Sequence, residues 1–259
     1  MRKVDLHIHT CVSDGTWDVH ELKKEINKKD IKIFSVTDHD SIGNIKKMES
    51  IIKNNKELIF IPGVEVSTSY EGREYHLTVY NYEIENENFN KLINWNLETR
   101  LNYNLEFVRY MEKVNEEVTV GDYLNYINDV KRGGWKTLNY MIDKKIHKDM
   151  HEHFKDITKS GLKLTFKKPE EVIKICKKAG GKVFLAHPAY YKKIGVLTKE
   201  ELDFWIENGI NGIECFSPYT TNNEQVEYYL NYCKKNNLMI SGGSDCHGLF
   251  IPARQLGNP

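Results

Sequence analysis

Short apolar segments rich in β-forming residues alternate with amphipathic helical stretches along this 259-residue chain. This alternation is typical of repeated βα units, which build a parallel sheet covered by helices. A hydrophobic content of 40% is enough to fill one large core. We therefore predict an α/β fold with strands at residues 3–7, 32–37, 58–66, 75–82, 182–186, 212–216 and 238–242.

The stretch from residue 86 to residue 165 breaks this alternation. It is rich in Asn, Lys, Glu and Tyr, and apolar residues such as Leu92, Leu101 and Leu105 recur in it at helical spacing. We interpret residues 86–165 as a helical insertion, which forms a lid or substrate-recognition subdomain. Residues 1–85 and 166–259 then form the domain that contains the sheet.

The charge balance argues against a long polyanionic partner. Lys plus Arg equals Asp plus Glu at 37 each, so no global field attracts duplex nucleic acid, although a local basic patch can still bind one phosphate. The sequence enters an apparent strand directly after Met1 and has no apolar run suited to a signal peptide or a membrane span. We expect a cytoplasmic protein without a membrane partner; the sequence does not indicate its oligomeric state.

Histidines and carboxylates occur where the predicted strands end. His7 and His9 are two residues apart, so both imidazoles project to the same face and can converge on one ion. An H-x-H pair alone is a weak signal, but in a parallel barrel the loops that follow the strands all gather at one rim. We predict a metal site at this rim, formed by His7, His9, Asp14, His39, Glu65, His76, His187, Asp245 and His247.

The chemical types of these ligands limit which metal ions and which reactions are expected. Imidazole and carboxylate ligands without thiolates favour Zn²⁺, Mn²⁺ or Fe²⁺, and the residue types do not choose among them. Several ions around a shared carboxylate can lower the pKa of bound water and hold the oxygens of a tetrahedral phosphorus centre. We expect two or three divalent ions and hydrolysis of a phosphoester. The sequence contains no G-x-S-x-G elbow or P-loop that would indicate a different chemistry.

The ordered motifs resemble those of the PHP (polymerase and histidinol phosphatase) superfamily. The blocks D-x-H-x-H-T, S-D-G, T-D-H-D, G-x-E, H-P and S-D-x-H all occur in order, within residues 1–82 and 182–257. The resemblance implies a distorted (β/α)7 TIM-like barrel and a trinuclear site. It is strongest to the small phosphoesterase branch, which includes nucleotide phosphatases and 5′-to-3′ exonucleases that act on short RNA.

The resemblance also implies a role for each ligand. A first ion would be bound by His7, His9, Glu65 and Asp245. Glu65 would bridge to a second ion, which is completed by His76 and His187. The third ion would be bound by Asp14, His39 and His247. We assign the catalytic roles to Asp14, His39, Glu65 and His247, and we expect a small phosphorylated substrate: a nucleotide, a short RNA or a sugar phosphate.

Four further residues are candidates for substrate binding. Members of this branch often carry a G-R-x-H-like block in the insertion, where this chain has Arg132, Gly133, Gly134, Trp135 and Lys136. A glycine pair can bend the backbone close to a ligand, so we expect Arg132, Trp135 and Lys136 to contact the substrate. Arg254 could bind two phosphate oxygens with its guanidinium group. We also expect the insertion to start and finish at the rim that holds the ions.

Two other function classes remain open. Amidohydrolase-type enzymes, which break C–N bonds, also place an H-x-H pair on a barrel, but they typically bridge their metals with a modified lysine where this chain offers Glu65. A non-catalytic metal-binding or regulatory module is the second alternative. A domain that has lost its catalytic function should also have lost some metal ligands, but all nine positions are filled in this chain. His147, His151 and His153 lie far from any predicted strand, and we interpret them as surface histidines.

Overall fold

A seven-stranded sheet forms the centre of the protein. The computed structural model describes residues 3–192 and 195–259. The strands pair in chain order. The Leu6 amide donates to the Gly242 carbonyl at 3.1 Å, and Ile8 bridges to Cys246, so the sheet closes into a distorted TIM-like barrel. All seven predicted strands are present: β1 (Lys3–Asp5), β2 (Ile31–Val36), β3 (Ile59–Tyr70), β4 (Arg73–Tyr80), β5 (Lys182–Leu185), β6 (Gly212–Phe216) and β7 (Met239–Gly242).

Strand β4 runs antiparallel to both of its neighbours, so the prediction of a wholly parallel sheet is wrong at this strand. β3 continues to Tyr70, and only Glu71 and Gly72 separate it from Arg73. These two linking residues have φ angles of 50° and 75°, which is the left-handed pair that a tight type I′ hairpin requires. A two-residue link can join only antiparallel strands, because a parallel pair needs a crossover of a dozen or more residues.

Helices surround the sheet and build the insertion. Asp18 and Thr198 begin two of them with capping boxes. In each box the side chain of the capping residue accepts from the backbone amide of the glutamate three residues later, and the side chain of that glutamate accepts from the backbone amide of the capping residue. The α-helices of the described residues are α1 (Val19–Lys28), α2 (Ile45–Ile52), α3 (Glu87–Val114), α4 (Val120–Asn125), α5 (Lys136–Asp143), α6 (Met150–Ser160), α7 (Pro169–Lys178), α8 (Lys199–Glu207) and α9 (Asn223–Lys235).

The reversed strand changes where the insertion begins. β4 ends at the face of the barrel opposite the predicted metal rim, where the Asn81 amide donates to the carbonyl of Pro62, near the start of β3. The 28 residues of α3 span about 42 Å and pass along the barrel to the other face. The chain returns there, where the Phe166 amide donates to Ser69 Oγ at 2.8 Å. The insertion therefore finishes at the rim but does not start there, which corrects the expectation from sequence.

The core is divided between the barrel and the insertion. The first half of α3 packs into the barrel core through Phe89 and Leu92, whereas its second half packs against α4 and α5 through a separate cluster that includes Phe107. His147 and His153 lie beside that cluster with exposures of 2% and 4%, so interpreting them as surface residues was wrong. Within the described ranges, no helix is both long enough and apolar enough to cross a membrane.

Candidate metal centre

The structure brings all nine predicted ligands together at one rim of the barrel. They lie in the loops after β1, β2, β5 and β7 and within β3 and β4. His39 forms a β-bridge with Glu65. His76 pairs with Ser67, two residues beyond Glu65, so both side chains project from the same face of the sheet. The reversal of β4 therefore leaves His76 at the rim, near the start of its strand rather than at its end.

One group of ligands is fully enclosed beneath the rim. His9 Nε2 lies 3.0 Å from Asp245 Oδ1 and 3.3 Å from Glu65 Oε2, and His7 Nε2 lies 3.2 Å from the same Glu65 oxygen. Ligand atoms at 2.0–2.1 Å from one ion are separated by about 2.8–3.0 Å in octahedral geometry and by about 3.3–3.4 Å in tetrahedral geometry. The observed separations match those that a divalent ion would impose.

Two more groups lie next to the first and share members with it. His9, Asp14, His39 and His247 offer one set of mutually close ligand atoms, and His39, Glu65 and His76 offer another. His187 is held by Glu65, whose Oε1 lies 2.8 Å from its Nε2. Glu65 thus takes part in two groups, which fits a bridging carboxylate. The assignment of each ligand to a particular ion remains a prediction.

Several buried polar atoms of this cluster have no hydrogen-bond partner in the protein. They include His7 Nε2, both ring nitrogens of His9 and Glu65 Oε2. A buried polar atom without a partner is costly, and a cation supplies the missing interaction. The ring nitrogen on the far side of His7 is 3.1 Å from Glu214 Oε1. Because a carboxylate only accepts, His7 Nδ1 carries the hydrogen and Nε2 presents its lone pair to the site. The residues therefore fit bound divalent ions.

The electrostatics of the site also favour cations. Burial alone would raise the pKa of Glu65, but electrostatic interactions with His7, His39 and His76 hold that pKa well below its usual range. Burial opposes ionisation of Asp245 in the same way, and His7, His9 and nearby positive groups lower its pKa well below the normal value. Both carboxylates are consequently ionised, as metal ligands must be.

Glu214 is a functional residue that the sequence reasoning missed. This buried carboxylate accepts from His7 Nδ1 and, at 2.7 Å, from the backbone amide of His187. It therefore orients two predicted ligands at once, as carboxylates behind metal-bound histidines commonly do. The available signal was a carboxylate within the otherwise apolar strand β6, where an ionisable residue requires a partner.

Three buried aspartates fasten the loops that carry the ligands. Asp38 accepts from the Thr10 amide at 2.7 Å and from Ser13 Oγ at 2.7 Å, which fixes the loop between His9 and Asp14. Asp5 accepts from the amide and the hydroxyl of Ser244 in the loop before Asp245. Asp40 accepts from the Ser67 amide and from Asn96 of α3. These carboxylates were present in the motifs, but their roles depend on tertiary contacts.

Arg100 is a second residue that sequence reasoning missed. Its guanidinium lies between the rings of Trp135 and Phe166, at 5.2 and 5.0 Å from their centroids. It donates to Ser67 Oγ at 2.8 Å and to Glu74, and Glu74 also pairs with His76 Nε2 at 3.0 Å. Although burial opposes it, the charges of Arg100 and His76 hold the pKa of Glu74 well below normal. Arg100 thus connects the insertion to a predicted metal ligand.

The four predicted substrate-binding residues divide into two pairs. A cavity of about 410 Å³ opens onto the cluster, and Trp135, Arg254 and Arg100 line it. Arg254 donates to Asp245 Oδ2 at 2.8 Å. In the part of the chain that the structure describes, Arg132 and Lys136 do not line this cavity. Arg132 donates to Asp143 at 2.7 Å, and Lys136 Nζ contacts the carbonyl of Leu124 at 3.3 Å.

The glycine pair has the close approach expected from sequence. Gly133 and Gly134 have φ angles of 73° and 70°, and the Gly134 amide donates to the Asp14 carbonyl at 2.7 Å. A Cβ atom on Gly133 would lie 2.5 Å from Phe250 Cβ, so a larger residue would push the insertion away from the rim. This contact places the Trp135 ring centroid 6.4 Å from that of His39.

Known proteins resemble this chain over nearly its whole length. The 5′-3′ exoribonuclease of Haemophilus influenzae is 26% identical over 267 residues, covering 95% of this chain and 90% of the relative. A Bifidobacterium adolescentis structure described as a metal-dependent phosphoesterase has a TM-score of 0.83 and 24% identity, covering 99% of this chain and 91% of that chain. An amidohydrolase from Chromobacterium violaceum has a TM-score of 0.79 and 20% identity, covering 98% and 90%. At these identities the two structures show the shared fold.

The family comparison covers most of the chain. The PHP domain model matches residues 5–240, a range that contains seven of the nine predicted ligands and the whole insertion, residues 86–165. His247 and Asp245 lie just past that range, in the loop after β7 that closes the metal cluster. The chain belongs to the PHP domain family.

Proposed function

We propose that the phosphoester hydrolysed by this metal-dependent phosphoesterase is a nucleotide or the 5′ end of a short RNA. Hydrolysis of a phosphoester follows from the family and from the ligand cluster. The narrower substrate class is supported by the exoribonuclease name of a relative that matches 95% of this chain. It is also supported by the form of the cavity above the ligands.

One observation carries the proposal: the cavity that opens onto the ligand cluster also has two arginines in its wall. Arg100 and Arg254 line it together with Asp14, His39 and His247. Arginine binds phosphate oxygens well because its planar guanidinium can donate two parallel hydrogen bonds. The cluster and the arginines can therefore contact the same phosphoryl group from different sides.

The residues of the chain have separable tasks. Divalent ions, when bound, would lower the pKa of a coordinated water and polarise the phosphoryl oxygens. Glu65 and Asp245 hold the negative charge that keeps such ions in place, and Glu214 orients His7. Arg254 is fixed against Asp245 and lies over Tyr219, with its guanidinium carbon 5.1 Å from the ring centroid. It is therefore ordered before a substrate binds, which reduces the entropy lost on binding.

The size of the cavity limits the substrate. A volume of about 410 Å³ is at the small end of the range typical for sites that bind small molecules, roughly 300–1,000 Å³. It suits one nucleotide unit at a time and not a folded duplex. Glu65 contacts His39, His76 and His187, so the cluster offers a glutamate at the place where amidohydrolase-type enzymes bridge their metals with a modified lysine.

The test is a substrate panel with end-labelled RNA. The purified protein would be assayed on mononucleotides, nucleoside bisphosphates, cyclic phosphates, sugar phosphates and RNA pentamers with a 5′-phosphate. For RNA labelled at the 3′ end, we expect progressively shorter labelled products, whereas RNA labelled at the 5′ end should release labelled mononucleotide at once. The Glu65→Gln variant, which alters the shared carboxylate, is the control for contaminating nucleases.

Three results would contradict the proposal. Degradation from the 3′ end would exclude the proposed direction on RNA. Activity confined to sugar phosphates would keep the phosphoesterase and reject the nucleotide. Hydrolysis of a C–N bond without hydrolysis of any phosphoester would favour the amidohydrolase alternative.

A further inference from the structure

The insertion contributes an apolar wall to the cavity above the metal ligands. Met150, Phe154 and Ile157 of α6 line it, together with Leu138 of α5. Met150 and Phe154 are 39% and 54% exposed, which is unusual for large apolar side chains inside a concave site. Trp135 lines the same cavity, and its ring centroid lies 6.4 Å from that of His39. The cavity thus has a polar part at the metal cluster and an apolar part at α6.

A buried polar chain ends in this apolar wall. His153 of α6 lines the cavity and is 4% exposed. Its Nδ1 lies 3.2 Å from Nδ1 of His147, and His147 Nε2 lies 3.1 Å from Asp156 Oδ2. The catalytic cluster does not include these three residues. A chain of hydrogen bonds that crosses an apolar region fixes the orientation and tautomer of each ring.

The direction of the hydrogen bonds in this chain can be worked out from Asp156. A carboxylate accepts, so His147 Nε2 carries a hydrogen; in neutral His147 the other nitrogen then has a lone pair. His153 must in turn donate from its Nδ1. Burial is the main cause that lowers the pKa of His153 to about 3, so this ring is neutral near pH 7. Its remaining nitrogen, Nε2, is a hydrogen-bond acceptor available to the cavity.

We propose that the α6 wall binds a flat heteroaromatic ring of the substrate, and that His153 Nε2 accepts a hydrogen bond from an N–H group on the edge of that ring. This inference rests on the proposed function, because a nucleobase is the heteroaromatic part of a nucleotide. The face of such a ring matches Phe154, Met150 and Trp135, since aromatic and apolar side chains stack on bases. A buried acceptor discriminates by the cost of leaving it unpaired.

The test compares two ligands that differ by one amino group. Adenosine carries an exocyclic N–H group that purine riboside lacks. Binding of both nucleosides would be measured by calorimetry, and KM would be measured for their 5′-monophosphates. We expect wild-type protein to prefer the adenosine compound by about three- to tenfold, the range of one net hydrogen bond. His153→Phe should reduce that preference to about one, and His153→Gln, which retains an acceptor, should recover part of it.

His151 provides the matched control on the same helix. It is exposed and does not line the cavity, so His151→Phe should keep the wild-type preference. In addition, nitrogen-15 spectra of histidine-labelled wild-type protein should show a protonated Nδ1 and an unprotonated Nε2 for the resonance that His153→Phe removes. The tautomer itself is measured on wild-type protein, and His153→Gln provides a second assignment of the same resonance if His153→Phe folds poorly.

The outcomes separate this inference from the proposed function. A wild-type preference that survives in His153→Phe, or a protonated Nε2, would overturn the role of His153. Binding of neither nucleoside would overturn the α6 site as a whole. Failure to hydrolyse phenyl phosphate or any nucleotide would instead contradict the proposed function, and an adenosine preference in the binding assay that depends on His153 would still support the α6 site.

Discussion

Replacement of Glu214 by Gln should weaken metal binding without unfolding the protein. Glu214 is fully buried. Its two oxygens accept from His7 Nδ1 at 3.1 and 3.2 Å, and Oε2 accepts from the His187 amide at 2.7 Å. Glutamine has nearly the same shape but only one accepting oxygen. With the glutamine oxygen at the Oε1 position, the His187 amide faces an NH₂ group; with the oxygen at the Oε2 position, the NH₂ group faces His7 Nδ1, which keeps only the 3.2 Å contact with the oxygen.

Either arrangement damages the site. If the amide nitrogen faces His7, it competes as a donor with the Nδ1 hydrogen, which weakens the preference for the tautomer that offers the Nε2 lone pair to an ion. If it faces the His187 amide, that buried donor is left unpaired, and the backbone at His187, directly before the short helical turn Pro188–Tyr191, shifts. Loss of a charge-assisted hydrogen bond costs about 1.5–3 kcal/mol. Changes behind metal-bound histidines reduce metal affinity by roughly 10- to 100-fold, which is about 1.4–2.7 kcal/mol. The two values agree.

The assay is competition between the protein and chelators of graded affinity, with Zn²⁺ or Mn²⁺. Glu227→Gln on α9 is the control, because it removes the same charge from an exposed position. We expect Glu214→Gln to lose affinity by 10- to 100-fold, with a thermal unfolding curve of normal cooperativity. If both variants bound metal within twofold of wild type, Glu214 would not orient the ligands and the reasoning from His7 would fail.

Four other predictions follow from the same contacts. Elemental analysis should find more than one divalent transition-metal equivalent per chain, and a strong chelator should abolish activity; only trace metal in protein never exposed to chelator would count against the site. Glu65→Gln should lose more metal than His76→Ala, because Glu65 contacts His7, His9, His39, His76 and His187; an equal or milder loss would argue against bridging. Lys136→Ala should change KM by less than twofold, since Nζ lies over the Tyr123 ring at 4.9 Å and outside the cavity; a tenfold rise would mean that Lys136 moves to the substrate. His153→Phe should make the free energy of unfolding less dependent on pH. The pKa of His153 is about 3 in the folded state and about 6.5 in the unfolded state, so in wild type this residue costs about 1–2 kcal/mol of stability as pH falls from 7 to 5. Denaturant titrations of both proteins at the two pH values would measure this difference.

The ligands could be predicted from sequence because each occupies a strand end. His7, His187 and Asp245 follow apolar runs whose length and composition define strands, and the topology of a barrel then brings the ends together. The pattern of apolar runs does not predict whether β4 runs parallel or antiparallel to its neighbours. Its direction depends on the two residues Glu71 and Gly72, and β3 extends past the run that the sequence indicated.

The positively charged side chains of the site were harder to predict than the metal ligands, because tertiary contacts decide which of these side chains face the cavity. Arg132 and Lys136 lie beside the glycine pair in sequence, but helix geometry points them to Asp143 and Tyr123. Arg100 lies 34 residues before Gly134 in sequence, on the helix that passes along the barrel. Helical spacing predicted α3 as an amphipathic helix, and nothing in that spacing indicated that Arg100 would be enclosed by two aromatic rings.

The antiparallel direction of β4 explains how Arg100 comes to lie at the level of the predicted metal ligands. Because β4 ends at the far face, α3 must cross the whole height of the barrel before the insertion begins, and its contacts with β3 fix its position along the way. Asn96 donates to Asp40 Oδ1 and to the Ser67 carbonyl at 2.7 and 2.8 Å. Arg100, one helical turn further on, reaches Ser67 and Glu74 at the level of the ligands. An insertion that began at the rim would have no such contacts with the barrel below it, and its arginine would have to be ordered by the loop alone.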